Sequence, residues 1–597
     1  MASEGLPAHV DARSRWDAIP SLLVLAAILA LALVPDHFIL RTKVVWTRAA
    51  LLGGLSVALL VQSLTGRLRI HWPTFFIMAL APGLLALLHP LHTSVASASL
   101  AEDEIQRLLL LPLGAWAAAS ALDSARWRRG FILALAFSGV IVGGYAVLQR
   151  LGGMLPEDWL AQIEIFPRSR PLASFGNPVF LGAWLVLSTP LLLAEALTGR
   201  TATRWLAAVG AGLCIPALIA TSSVGAWFGF GLALLISLWL LLHTGRQRLI
   251  MAGTVLVGTA TTFMIGWSSI FRSRVHTLIW RDSWNLLSAH PGGVGPGQFQ
   301  VAFLPYASPE LLEQHPLGDV VINDAHSEPL QLLLELGWPA LISVLIALGC
   351  AAVAVRDMLN QRWRNQHEKT LFVAALASIV GALGQSFVSP DLRFQVSVLM
   401  LALLIGFLSG QAPALVLDLK ARKVIRPLVL VIALAGLWLV TTDTWKRIHL
   451  EEMLRPSPPT EISPQTADEI AQHEIHARLN QDSPQAWHEL GAAYYSAQRH
   501  AEAAEAFRKT LALDPENILV ARNLGVCQAL TGRYSEAVVH LRRSLAEEPD
   551  APDIRWLLAY ASFGRGDLRT AFSEVERILR EYPDHDRARI LLTRLRE

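Results

Sequence analysis

The stretch "NDAHSEPLQLLLELGWPALISVLIALG", residues 323–349, sets Asp324, His326 and Glu328 against the start of an apolar run long enough to cross a bilayer. Pro329 suits the first turn of a helix, where its missing N–H costs nothing, so the three polar residues fall at the helix mouth. A helix N-terminus favours anions close by, and histidine accepts a proton near neutral pH. An external site that deprotonates a hydroxyl while an anionic leaving group departs fits this pattern. The plainer reading is that polar residues mark where the helix leaves the membrane.

Working outward, the 597-residue chain is 53% hydrophobic and 16% charged, outside the usual range for soluble proteins. A net charge of +2, dispersed in short clusters, excludes a nucleic-acid footprint. Cys214, Cys350 and Cys527 make no disulfide framework and read as structural, the first two as small hydrophobes within apolar runs. The first apolar run lacks a small-residue cleavage pattern, so it reads as a span and not as a removed signal.

About thirteen apolar runs follow, near 20–35, 49–65, 74–91, 107–122, 130–149, 178–197, 205–222, 225–242, 249–269, 329–355, 370–388, 394–411 and 427–442. Lys and Arg gather in every second loop: Arg67 and Arg69; Arg126, Arg128 and Arg129; Arg200 and Arg204; Arg246 and Arg248; Arg356 to Lys369; Lys420 to Arg426. Those loops are expected on the cytoplasmic side. Arg41, Lys43 and Arg48 break the alternation. The expected layout is a cytoplasmic N-terminus at 1–19, a polytopic domain at 20–443 with a large outer loop at 270–328, and everything after 443 outside.

That tail is of another kind. A proline-rich linker, "LRPSPPTEISPQ" (454–465), lies within a connecting region at 444–482. Beyond it Pro515, Pro549 and Pro583 recur every 34 residues, in phase with Leu490, Leu524 and Leu558 and with Ala503, Ala537 and Ala571. The unit "SPQAWHELGAAYYSAQRHAEAAEAFRKTLALDPEN" (483–517) resembles a tetratricopeptide repeat. Units at 483–517, 518–551 and 552–585 with a terminal helix at 586–597 suffice for a short α-solenoid, whose concave face offers a protein-binding surface.

Chemistry concentrates in the outer loop at 271–331, which exceeds ordinary connection lengths and is rich in Trp, Phe and Ile. "GVGPGQF" (293–299) lacks the Lys-Ser/Thr of a phosphate loop and reads as a turn needing glycine dihedrals. Asp324 and Glu328 are placed to orient His326. Glu335, two turns into the span, is expected to face the protein interior. His290 and His315 share the loop, but no metal-ligand spacing appears, and neither metal nor cofactor is expected.

Three segments, "RPLASFGNPVFLGAWL" (170–185), "IWRDSWNLLSAHPGGVGPGQF" (279–299) and "AHSEPLQLLLELGWPA" (325–340), resemble in order the landmarks of the O-antigen ligase and polymerase superfamily of bacterial membrane glycosyltransferases. The resemblance spans roughly 20–412. It implies an all-α, GT-C-like polytopic fold of about twelve to thirteen transmembrane helices in the bacterial inner membrane, followed here by the repeats on the periplasmic side. It also implies a donor glycan carried on undecaprenyl diphosphate. His326 corresponds to the periplasmic histidine that activates the acceptor hydroxyl. Arg281, with Arg274 as competitor, corresponds to the arginine that binds the diphosphate, and Arg170 is a third candidate. Each arginine also suits anchoring to lipid headgroups. One departure stands out: where the family commonly has Ser-Arg-Gly, this chain reads "TSSVGAW" (221–227), with Val224 in the arginine's place, so that either Arg168, Arg170 or another basic residue substitutes or the donor is held differently. The alternative to an enzyme is a non-catalytic membrane scaffold or polysaccharide transporter that displays the repeats to a periplasmic partner.

Overall fold

A computed structural model describes residues 18–596, leaving aside 34–41, 89–97, 152–169, most of 248–274, 315–321, 421–423, 455–463 and the single positions 172, 176, 243, 323, 362 and 364. The chain is helical, with one two-stranded ribbon, and divides into two compact units, the larger ending at Thr444 and the smaller comprising chiefly Trp445–Glu597.

In the first unit, helices occupy twelve of the thirteen apolar runs: Ile19–Leu33, Thr42–Thr65, Pro73–Leu88, Ala98–Ala121, Ala125–Leu151, Pro178–Thr198, Thr203–Ala220, Val224–Leu241, Glu328–Asn360, Gln366–Gln385, Gln395–Ser409 and Ile425–Leu454. The expected span at 249–269 lies almost wholly outside the described residues. Among the described residues, 7 helices are long and apolar enough to cross a membrane. The count falls below twelve or thirteen because Ile19–Leu33, Pro73–Leu88 and Gln395–Ser409 are short, while Ala98–Ala121 and Gln366–Gln385 carry polar residues at their ends.

Two helices are apolar on every side and sit at the centre. Pro178–Thr198 is buried along nearly its whole length, and Gln395–Ser409 is buried from Val396 to Ser409. A helix without a polar face has no stable place except an interior. Phe407 stacks on Phe131 with ring centroids 5.1 Å apart, locking Gln395–Ser409 to Ala125–Leu151. By contrast Ile425–Leu454 exposes Val431, Ile432, Leu434, Trp438 and Leu439, an apolar face suited to lipid.

The ribbon was not foreseen. Strand β1, Arg67–His71, pairs antiparallel with β2, Ala414–Asp418, in the register Arg67 to Asp418 through His71 to Ala414. It ties the loop after Thr42–Thr65 to the loop after Gln395–Ser409.

The described part of the loop at 271–331 folds around its own small core. Leu278, Ile279, Leu286, Phe299, Phe303 and Leu311 pack with Leu333 and Leu334 of the Glu328–Asn360 helix. Gly293, Gly295 and Gly297 all have positive φ, as the glycine turn requires. Their acceptor is the helix itself. Gly337, at φ 71° and ψ −173°, interrupts Glu328–Asn360 two residues before Pro339. The interruption frees carbonyls that take the turn's amides: Val294 N–H donates to Leu334 O and Gly295 N–H to Glu335 O, each at 2.9 Å. A Cβ on Gly293 would lie 2.4 Å from the Glu335 carbonyl, so glycine is also required for the close approach.

In the second unit, helix pairs Pro484–Ser496 with His500–Leu513, Ile518–Leu530 with Tyr534–Glu547 and Pro552–Gly564 with Leu568–Glu581 precede a last helix, Asp586–Arg596. The packing follows the repeat phase: Leu490, Leu524 and Leu558 are buried, as are Ala503, Ala537 and Ala571. The turn inside each pair passes through a left-handed residue, Gln498, Gly532 or Gly566, spaced by the same period. A further helix, Pro464–Leu479, begins inside the proline-rich linker and packs through Ala477 on Ala486 and Leu490.

Candidate functional site

The mouth of Glu328–Asn360 holds His326 in a strained turn. Its backbone sits at φ 49°, a region that non-glycine residues occupy only when their surroundings over-determine them. The surroundings are specific. Trp280 Nε1 donates to Ala325 O at 2.8 Å, Ala325 N–H donates to Gln331 Oε1 at 2.7 Å, and His326 N–H donates to Asp324 Oδ1 at 2.9 Å. The imidazole, about a third exposed, places Nδ1 3.3 Å from the same Asp324 oxygen. Its ring lies 4.4 Å from that of His276, a residue the sequence reading passed over.

Of the two acids expected to orient His326, only Asp324 meets it. Glu328 turns inward, where its carboxylate is 3.3 Å from Arg107 Nη1. The reason is the helix start: the Glu328 N–H donates to Ser386 O at 2.9 Å, which pins the first turn against the end of Gln366–Gln385 and aims the side chain into the bundle.

Beneath the turn lies a buried network scattered through the sequence. Arg107 holds Glu104 with two hydrogen bonds, of 2.9 and 2.5 Å, and donates to Leu392 O. Arg393 pairs with Glu335 at 3.0 Å and lies 3.7 Å from Glu104. Glu335 also accepts from Gly297 N–H at 2.7 Å and from Gln331 Nε2. Gln331 thus links the peptide beside His326 to the ion cluster. Glu335 faces the interior, as expected, at 1% exposure, and its partners show why a carboxylate is tolerated there. Asp391, in the short turn before Gln395–Ser409, is buried beside Ser389 and Gln385, whose polar groups offset only part of the cost of burying its carboxyl. Burial pushes its carboxyl up to about 7.

The arginines separate. Arg281 is half exposed, and its guanidinium is engaged by Asp282 at 3.0 Å, Glu310 at 3.1 Å and Ser308 at 2.7 Å. These contacts fasten Val275–Ala289 to the Pro309–Gln314 turn. Arg170 is exposed, and its Nε donates to Thr221 O at 2.7 Å. It therefore stands at the residues preceding Val224. Arg274 and Arg168 lie outside the described residues, as does His315. His290 pairs with Tyr306 at 3.0 Å, apart from the His326 turn. Among the described residues, no three His, Cys, Asp or Glu side chains gather in a metal-like group.

Glu104, Arg107, Asp391 and Arg393 were missed by sequence reading. The first two sit at the start of an apolar run and the last two in a short turn, each with an ordinary surface explanation. The available signal was charge adjacent to spans, which is costly unless paired.

No curated protein matches the chain. Among solved structures, MamA 41-end from Desulfovibrio magneticus RS-1 aligns at 18% identity over 22% of this chain and 84% of its own, with a TM-score of 0.20. The APC/C hetero-tetramer Cut9-Hcn1 aligns at 11% identity over 93% of this chain and 90% of its own, with a TM-score of 0.20. Residues 494–559 and 529–595 match the tetratricopeptide repeat family, and residues 209–345, which include Val224, Arg281 and the His326 turn, match the O-antigen ligase family. The chain therefore joins an O-antigen ligase-type domain in a multi-pass membrane unit to C-terminal tetratricopeptide repeats.

Proposed function

We propose that this chain is a glycosyltransferase of the bacterial inner membrane that transfers or polymerises a glycan carried on undecaprenyl diphosphate at the periplasmic face. The observation that carries the reading is the His326 turn: a strained, anchored backbone presents an accessible imidazole whose Nδ1 faces Asp324. With the Nδ1 proton held toward that carboxylate, Nε2 keeps its lone pair. It takes the proton of an acceptor hydroxyl as the hydroxyl oxygen attacks the anomeric carbon of the donor. The carbon–oxygen bond to the carrier breaks, and its electron pair leaves on the diphosphate.

An arginine neutralises the charge growing on that leaving group. Arg170 is favoured by its seat at Thr221, beside the position where the family's arginine is replaced by Val224. Arg281 serves the diphosphate only by releasing Glu310. Arg274 is the third candidate. Asp324 positions the imidazole, whereas Glu328 acts through Arg107 by holding the helix mouth. The repeats, on the periplasmic side in this reading, offer their concave face to a protein partner.

The test is a strain lacking the chromosomal copy and complemented with His326→Ala, Arg170→Ala or Arg281→Ala. His326→Ala is expected to lower transfer by about 10² to 10⁴ and to accumulate lipid-linked precursor at normal protein amount. Arg170→Ala is expected to lose more than Arg281→Ala. Wild-type polymer from His326→Ala overturns the reading and leaves the scaffold alternative. Polymer size distribution then separates ligase from polymerase.

A further inference from the structure

The helices that bring Glu104, Glu328 and Arg393 together also converge at their other ends. Ala98–Ala121 ends before Asp123, Glu328–Asn360 ends before Gln361, and Gln395–Ser409 ends before Gly410. These three residues line one cavity of about 600 Å³, closed on another side by the β1–β2 ribbon. By the rise of the shortest helix, it lies about 20 Å or more from the His326 turn.

Arg67, Arg69 and Arg128 line it, opposed by one carboxylate, Asp123, which is 3.5 Å from Arg69. The backbone of the two strand arginines and the side chain of Arg128 are set by structure. Arg67 and Arg69 alternate along β1, Arg69 N–H donates to Gln62 Oε1, and Arg128 donates to the Leu122 and Asp123 carbonyls. His71 shares the wall and donates from Nδ1 to Ala412 O at 2.9 Å. Burial lowers its pKa, so the positive charge here comes from the arginines.

We propose that this cavity binds a phosphate-bearing ligand, either a soluble diphosphate or the headgroup of an anionic phospholipid, at the membrane face opposite His326. Arg67 and Arg69 are exposed but carried on a paired strand, and Arg128 is partly buried, so that three guanidinium groups line one concavity and suit the oxygens of a phosphate. The ribbon is what distinguishes this cluster from ordinary basic loops. By the distribution of Lys and Arg in the loops, this face is the cytoplasmic one.

The full-length protein is titrated with inorganic pyrophosphate in detergent, and separately reconstituted in nanodiscs of phosphatidylglycerol or phosphatidylcholine to count lipids retained after extraction. Binding of pyrophosphate that Arg67→Gln/Arg69→Gln loses identifies a soluble ligand of this cavity, as distinct from the diphosphate site proposed near His326, and selective retention of phosphatidylglycerol lost by the same variant identifies a headgroup. In either case the double variant Arg67→Gln/Arg69→Gln is expected to weaken binding at least about tenfold. Arg67→Lys/Arg69→Lys, which keeps the charge and guards against misfolding, is expected to retain most headgroup binding but to lose affinity for pyrophosphate. No binding of either probe overturns the proposal, as does wild-type binding by the double glutamine variant.

Discussion

The two units handle charge in opposite ways. In the membrane unit Glu104, Arg107, Glu328, Glu335 and Arg393 are buried together, drawn from segments nearly 300 residues apart. In the repeats most ion pairs are exposed and join residues of the same or neighbouring helices, such as Arg508 with Glu505 and Arg522 with Glu548. Arg555 with Glu574 is a buried exception. A buried cluster is costly to assemble and costlier to break, whereas an exposed pair contributes little. One arrangement specifies a site; the other keeps a solenoid soluble.

The comparison breaks first, if at all, at Arg393. Arg393→Ala leaves Glu335 and Glu104 under-compensated, and a loss of about 3–5 kcal/mol is expected, read as thermal melting in detergent and as yield. Arg393→Met/Glu335→Gln is expected to recover much of it. A loss no greater than that of a repeat-surface variant removes the distinction. Next comes the turn docked on the broken helix. Gly293→Ala places a Cβ against the Glu335 carbonyl at positive φ, and a loss of about 1–3 kcal/mol is expected by the same measurement.

Asp391 sharpens the comparison through pH. Its carboxyl is raised in the folded chain, so the stability associated with its neutral form is fully present below the unfolded value near 4 and is lost as pH rises through about 7. Asp391→Asn is therefore expected to gain on the wild type by up to about 1.4 kcal/mol per pH unit across that window and to level off above it. A constant difference between the melting curves at pH 5 and 8 contradicts this. The smallest effects belong to the repeats. Gln498→Gly, at the position occupied by Gly532 and Gly566 in the later units, is expected to stabilise by about 0.5 kcal/mol. Arg508→Ala is expected to change stability by under about 1 kcal/mol.

The solenoid was legible because its information is periodic: each repeat restates Leu490, Ala503 and Pro515 at one spacing. The spans were legible because a bilayer demands unbroken apolar length. His326 and Asp324 were legible because they adjoin a span and sit two residues apart. The partners of Glu328 and Glu335 were not, since Arg107 and Arg393 lie on other helices and only three-dimensional packing brings them within 4 Å. The ribbon escaped for a similar reason. "RLRIH" and "ALVLD" are each too short to announce a strand, and neither forms one without the other.

That pairing also sets an order of events. Strand β1 is synthesised early, yet its partner emerges about 350 residues later, which at roughly 5–20 residues per second is a delay of some tens of seconds. For that interval Arg67–His71 waits with its backbone unpaired while the nine described apolar-run helices from Pro73–Leu88 to Gln395–Ser409 are made between the two strands. The basic wall of the cavity is therefore among the last parts of the membrane unit to close, and a nascent chain halted before Ala414 carries an open strand edge that a completed chain does not.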